Sequence, residues 1–267
     1  MKAVILAAGK GTRLRPLTYG IPKTLLPVNG RPIIDWVIDN ILSAGDIEKI
    51  YVAIAGVTSD DFEERILAHT HGICVDSYLK NKYGPKIETI PTPQRETGGD
   101  LKFILEEKGL ISGELLVAYG DNLTKINMKK FIEYHRNGRR KLNIAASLLL
   151  FRVPENNIKR FGIAEIEEKN GFYIVTNYVE KPQKSSSNLA HAGYYILELD
   201  DVFNLMPHNR IKVENSVFPN LIEKRKLLGF IDQLPFWVDI GTKEAYKKSQ
   251  TLIQNIQKNE NKKFPNV

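Results

Sequence analysis

The 267-residue sequence contains a single cysteine, Cys74, which excludes an internal disulfide and leaves a reducing cytoplasm as the expected location. No apolar stretch approaches the ~20 residues of a membrane span. The opening AVILAA is short and runs straight into glycine, without a basic leader or a cleavage site, so neither a membrane association nor a signal peptide is expected. Internal repeats and linkers rich in Pro, Gly or Ser are also missing, which predicts one unit over 1–267. The basic clusters Lys129-Lys130 and Arg139-Arg140-Lys141 lack interleaved aromatics, so nucleic acid is not expected as a partner. What is present is an ordinary globular composition, 42% hydrophobic and 26% charged, with a net charge of +7. Such a surface is well solvated and also suits polyanionic substrates.

KAVILAA reads as a strand buried on both faces. In RPIIDWVIDNILSAG, Pro32 stands at a first helical position, Ile33, Ile34, Val37, Ile38, Ile41 and Leu42 form one stripe, and Gly45 follows the end. IEKIYVAIA is the next strand, and SDDFEERILAH is a helix opened by a capping serine and acidic residues. PKIETIP predicts a strand, TGGDLKFILEEKG a helix entered through two glycines, ELLVAYGDN a strand and NMKKFIEYHRNG a helix. This alternation predicts a parallel sheet with helices on both faces. Beyond about residue 140, LNIAASLLLF, FGIAEIEE, GFYIVTNYVEKP, LAHAGYYIL and LLGFIDQL read as strands. VENSVFPNLIEKRK reads as a helix despite Pro219, and GTKEAYKKSQTLIQNIQK as an amphipathic helix before a polar end, NENKKFPNV.

The segment AAGKGTRL follows the first strand, at the end of the sheet where open α/β folds bind ligands. A Rossmann loop requires a third glycine where this chain has Leu14, and the Walker pattern is absent. Two glycines remain that bring backbone N–H groups to an anion, with Arg13 adding a fork of donors and Pro16 and Pro22 stiffening the stretch that presents Lys23.

GKGTRLRPLTYGIPKTLLPVNGRPII resembles the signature of the sugar-1-phosphate nucleotidylyltransferases, and YGDN, FGIAEI, VEKP, HAGYYIL and FWVDIGT continue the resemblance in order along nearly the whole chain. The resemblance implies an α/β fold with a Rossmann-like mixed, mostly parallel sheet flanked by helices, without a carboxyl-terminal β-helix. It also implies a nucleotide-binding half at 1–140, a sugar-phosphate-binding half at 141–240 and a carboxyl-terminal helix and tail at 241–267. The implied reaction is attack of a sugar 1-phosphate on the α-phosphorus of a nucleoside triphosphate, with Mg²⁺ as cofactor and pyrophosphate as the second product. Phosphoryl-type transfer needs positioning and charge stabilisation more than covalent help, and the attacking oxygen is already ionised.

By the same resemblance Arg13 and Lys23 are the catalytic cations, Arg13 on the triphosphate and Lys23 near the α-phosphate. Leu6, Ala7, Gly9, Gly11, Thr12, Thr97, Gly98 and Asp121 bind the nucleotide, and Asp121 and Asp239 hold the metal. Gly162, Glu180, Lys181 and Gly193 bind the sugar phosphate. Glucose 1-phosphate with UTP or dTTP is the expected pair; mannose 1-phosphate with GTP and a non-catalytic nucleotide-sugar sensor are the alternatives, and homo-oligomerisation is left open. Three places depart from the family pattern. Ile90 and Glu96 stand where a base-reading Glu or Gln and a glycine are usual, and Phe161 lacks an aromatic hydroxyl.

Overall fold

The computed structural model describes the backbone of residues 1–263 and side chains through residue 256. Four parallel strands, β1 (Lys2–Leu6), β4 (Lys49–Ala55), β5 (Ile87–Thr92) and β6 (Glu114–Tyr119), stand in the order β5-β4-β1-β6. The same sheet continues with β8 (Ala146–Arg152), β9 (Gly162–Lys169), β10 (Phe172–Glu180), β11 (Leu189–Glu198) and β12 (Leu227–Ile231), in the order β11-β8-β12-β10-β9. β11 runs antiparallel to β6 and joins the two sets. Two short ribbons lie outside this sheet: β2 (Pro27–Val28) with β3 (Arg31–Pro32), and β7 (Asn122–Thr124) with β13 (Trp237–Asp239). The helices are α1 (Leu17–Gly20), α2 (Ile33–Leu42), α3 (Phe62–Tyr83), α4 (Glu96–Glu107), α5 (Met128–Leu142), α6 (Leu199–Val202), α7 (Val213–Glu223) and α8 (Lys243–Lys263).

β1 explains why its sequence is apolar throughout: Ala3 and Ile5 pack with α2, α3 and α5 on one face, while Val4 packs with α4 and α7 on the other. A third apolar cluster of Leu14, Leu26, Val28, Ile33, Leu123, Phe236, Ile240 and Ile253 ties α8 to the loop after β1 and to the β7–β13 ribbon. Leu14, the residue that denies the loop a Rossmann identity, is thus its buried anchor. Among the described residues, no helix is long and apolar enough to cross a membrane.

Three expectations change in the structure. The helix cap before α3 is Asp61, whose carboxylate accepts the N–H of Glu64 at 2.8 Å, whereas Ser59 accepts the N–H of Asp61. α3 also continues far beyond His69, through Gly72, to Tyr83. Its distal turns are held by the buried Asp35 of α2, which accepts from Tyr78 Oη and Lys82 Nζ at 2.6 Å and from Tyr83 Oη at 2.8 Å. A tertiary anchor thereby sustains a helix that its own residue pattern would not. The polar end expected at 259–267 is helical as far as Lys263, and residues 264–267 lie outside the described residues.

Asp35→Ala leaves two phenols and an ammonium facing a buried gap, and such broken networks cost about 3 kcal/mol or more. The unfolding midpoint in urea is expected to fall accordingly, with hydrogen exchange accelerating first in residues 75–83. Unchanged protection there would show that the anchor is not what holds the distal helix.

Candidate active site

The loop after β1 closes on itself before it meets any ligand. Gly11 has φ +66°, and its carbonyl accepts from Thr18 Oγ1 at 2.9 Å and from the Leu14 N–H at 2.9 Å. A side chain at Gly11 would be strained and would crowd Lys23 Cβ and Thr18 Cγ2 at 3.1 Å. At the end of β6, Gly120 donates to the carbonyl of Leu6 at 3.0 Å, and a Cβ there would lie 2.7 Å from that of Ala7. The tight crossing of these strand ends sets Asp121 beside the glycine loop.

Asp239 arrives by a different route. β13 pairs with β7 so that Asp239 stands opposite Asn122, and the N–H of Ile240 donates to the Asp121 carbonyl at 3.0 Å. Burial, and then the charge of Asp121, push the Asp239 carboxyl above its usual range, while Lys23, Arg13 and Arg160 act in the opposite direction. Lys23 Nζ contacts Asp121 Oδ2 at 2.5 Å. Arg13 is exposed, and its Nη2 lies 3.1 Å from where a Cβ of Gly241 would stand. Two carboxylates repelling one another form a donor set that suits a hard divalent cation, and the charges of Lys23, Arg13 and Arg160 offset part of that repulsion.

Two cavities meet at Asp121. The larger, about 760 Å³, is bounded by Leu6, Gly9 and Lys10 on one side and by residues 93–97 on the other. The smaller, about 170 Å³, is lined by Gly162, Glu180, Lys181, Gly193, Arg160, Glu214 and Asp239. Tyr119 and Asp121 line both.

Of the nucleotide-site expectations, Leu6, Gly9, Thr97 and Asp121 face the larger cavity. Ala7 and Lys23 face a narrower cleft between the glycine loop and α3. Gly11, Thr12, Arg13 and Gly98 lie on the wall of neither of these two cavities. The N–H of Gly98 is already bonded to the carbonyl of Ile211 at 2.9 Å, which caps α4 from outside. All four sugar-site expectations line the smaller cavity, yet each glycine also has a local reason. Gly193 has φ +81°, and its Cβ position is occupied by Asn122 Nδ2; that of Gly162 is occupied by the hydroxyl of Tyr178.

Ile90 requires a correction. It is buried in β5, within the core facing α4 and α7, and is not part of the cavity wall. The residues beside the cavity are instead 93–97, held by Asp100, which accepts from Thr92 Oγ1 at 2.9 Å and from the Arg95 N–H at 2.7 Å. Glu96 there has φ +61°, the conformation that a glycine would adopt freely, and pairs with Arg210 at 3.6 Å. Lys10, Arg160, Tyr178, Glu214 and Trp237 are site residues that the sequence reading missed. A lysine inside the glycine signature and an arginine next to FG could have been noticed; Glu214, on a helix far along the chain, carried no local signal.

Among the described residues one further group of ligand-type side chains clusters, Glu114, His135 and Glu198, at the opposite end of β6. Arg136 holds Glu114 through paired bonds, and His135 is spent on Ser147 and Glu198, so the group reads as a structural ion network.

On the wall of the smaller cavity His191 is packed among the rings of Tyr119, Tyr178, Tyr195 and Phe218, with centroids 5.8–6.2 Å away. Burial pushes its imidazole down to about 4. An unfolded chain would take up that proton near ~6.5. Neutral His191 therefore contributes stability that is complete above pH ~6.5 and is lost as pH falls toward 4, by up to about 3 kcal/mol. His191→Gln is expected to flatten the unfolding free energy over this interval, and an acid slope identical to the parent's would refute the assignment.

The nucleotidyl transferase family matches residues 2–256. A "Bifunctional protein GlmU" of Methanococcus maripaludis (strain S2) is 35% identical over 248 residues, covering 90% of this chain and 51% of that protein. A mannose-1-phosphate guanyltransferase of Saccharomyces cerevisiae is 28% identical over 256 residues, covering 96% of this chain and 65% of that one. The chain spans about half the length of the GlmU relatives it matches. In fold it is similar to a crystal structure from Bacillus anthracis provisionally named a glucose-1-phosphate thymidylyltransferase, with a TM-score of 0.75, 24% identity and 94% of each chain covered. It is also similar to an apo UDP-glucose pyrophosphorylase, with a TM-score of 0.73, 20% identity and coverage of 96% and 98%.

Proposed function

The chain belongs to the nucleotidyl transferase family, and on that premise we propose that it joins a sugar 1-phosphate to a nucleoside triphosphate, releasing pyrophosphate. The observation that carries this reading is the position of Asp121, which lines two cavities at once and stands beside Asp239. A two-substrate transfer needs such a junction. The triphosphate occupies the larger cavity against the glycine loop and Lys10, and the sugar phosphate occupies the smaller one with Glu180 and Lys181.

Asp121 and Asp239 would hold Mg²⁺, which supplies charge neutralisation at phosphate oxygens. Lys23 leaves Asp121 to meet the α-phosphate, where negative charge builds as the fifth oxygen approaches. Arg13 draws charge toward the departing pyrophosphate. No general base is required, because the nucleophile is an ionised phosphate oxygen. A non-catalytic sensor would have no use for both carboxylates.

Two substrate pairs stand level: glucose 1-phosphate with UTP or dTTP, the pair expected from the family resemblance, and mannose 1-phosphate with GTP, supported by the guanyltransferase relatives. Ile90 is buried and off the wall of the larger cavity, so it does not choose between these bases. The test is pyrophosphate release by the purified chain over all common nucleoside triphosphates and several hexose 1-phosphates with Mg²⁺. At least one pair should turn over while the corresponding free hexose does not. Absence of release with every pair would overturn the reading.

A further inference from the structure

Glu214, on α7, is 7% exposed and lines the smaller cavity. A carboxylate this buried is costly unless its oxygens are well supplied with donors. Among the described residues Glu214 forms no ion pair. Its neutral donors are Tyr119, which donates to Oε1, and Thr97, which donates to Oε2 at 3.1 Å. Thr97 in turn accepts the Val213 N–H at 3.1 Å, so its hydroxyl proton is committed to Glu214.

A carboxylate has about four lone-pair sites, and two are filled. Nearby, Tyr195 has a buried hydroxyl without a hydrogen-bond partner, and His191 is held neutral. The remaining capacity therefore has no buried cation to take it, and Glu214 lines the same cavity as Glu180 and Gly162. Besides Asp121 and Asp239, the lining holds two kinds of group: cations at Arg160 and Lys181, and acceptor-only carboxylates at Glu180, which pairs with Lys181 at 3.6 Å and Lys212 at 3.5 Å, and at Glu214. That division suits a molecule with one phosphate and several hydroxyl donors.

We propose that Glu214 is a sugar-binding residue, whose carboxylate accepts a ring hydroxyl of the hexose 1-phosphate in the smaller cavity. The inference rests on the sugar-phosphate reading above, and it adds a recognition group supplied by α7. Because the same carboxylate holds Thr97 and Tyr119, a bound sugar is also tied to the wall of the nucleotide cavity.

The test is calorimetric binding of glucose and mannose 1-phosphates and their monodeoxy analogues to the full chain and to Glu214→Gln, with thermal midpoints recorded alongside. Glutamine keeps the shape but removes one acceptor oxygen and the charge. The parent should lose about tenfold or more in affinity for one monodeoxy analogue, the range of a hydrogen bond to a charged group. In Glu214→Gln that penalty should shrink to within about threefold, because the charge that strengthens the bond and one of the two acceptor oxygens are gone. Glu214→Ala should behave likewise and exclude a new contact by the glutamine amide. If every analogue carries the same penalty in parent and variants, or if the parent binds no hexose 1-phosphate, the proposal is overturned and Glu214 is a strut between α4, β6 and α7. Binding is read without turnover, so missing pyrophosphate release would strike the proposed reaction and leave this result standing.

Discussion

Asparagine at Asp121 or Asp239 should lower kcat/KM about a thousandfold or more while leaving the protein folded. The substitution preserves shape, and the bond from the Ile240 N–H to the Asp121 carbonyl involves backbone alone, so the ribbon that brings the two residues together survives. What is lost is the charge that would hold a divalent cation against the phosphates, a contribution worth several kcal/mol to such a transfer. The two variants should separate in stability. Asp239 carries a carboxyl already pushed up by burial and by Asp121, so its ionised form is disfavoured in the fold. Asp239→Asn should therefore raise the thermal midpoint at neutral pH. Asp121→Asn forfeits the contact with Lys23 and should not. Near-parental turnover by either variant after chelation would remove the carboxylates from the mechanism.

Lys23→Met should show an opposition that a merely structural lysine would not produce. Turnover is expected to fall by about a hundredfold or more, the cost of removing one group aimed at developing charge. Divalent-cation binding without nucleotide should instead tighten by about tenfold. In the free protein Lys23 stands 2.5 Å from Asp121 and competes for the carboxylate that a cation needs. Two unit charges at contact near a protein surface interact by about 4 kcal/mol, and solvent at the partly exposed Asp121 leaves about a third of that, ~1.4 kcal/mol. Titration with Mn²⁺ followed by electron paramagnetic resonance reads this directly. Equal or weaker metal binding in the variant would mean that Lys23 and the cation do not compete.

The local grammar of the chain was legible wherever one element decides its own fate. β1 reads as an all-apolar run because both its faces are covered, and α2 reads from the stripe Ile33 to Leu42. α3 did not, since its length depends on Asp35 reaching across from another helix. Ile90 was misplaced for a related reason: linear spacing to TGGDL cannot tell which residues of a strand face the core and which follow it onto the cavity wall.

By itself the sequence determined the alternation of strands and helices, the anion-seeking loop with Leu14 in place of a third glycine, and the charged residues available for chemistry. These depend on side-chain period, glycine backbone freedom and charge, which act over a few residues. Only the tertiary structure decided that Asp121 and Asp239, 118 positions apart, share one site. It alone also decided that Glu214 closes a cavity whose other walls include β6, β9, β10, β11 and β13. Those juxtapositions are set by the antiparallel pairing of β7 with β13 and by the packing of α7 on the sheet, and pairing partners distant in sequence leave no periodic trace in either segment.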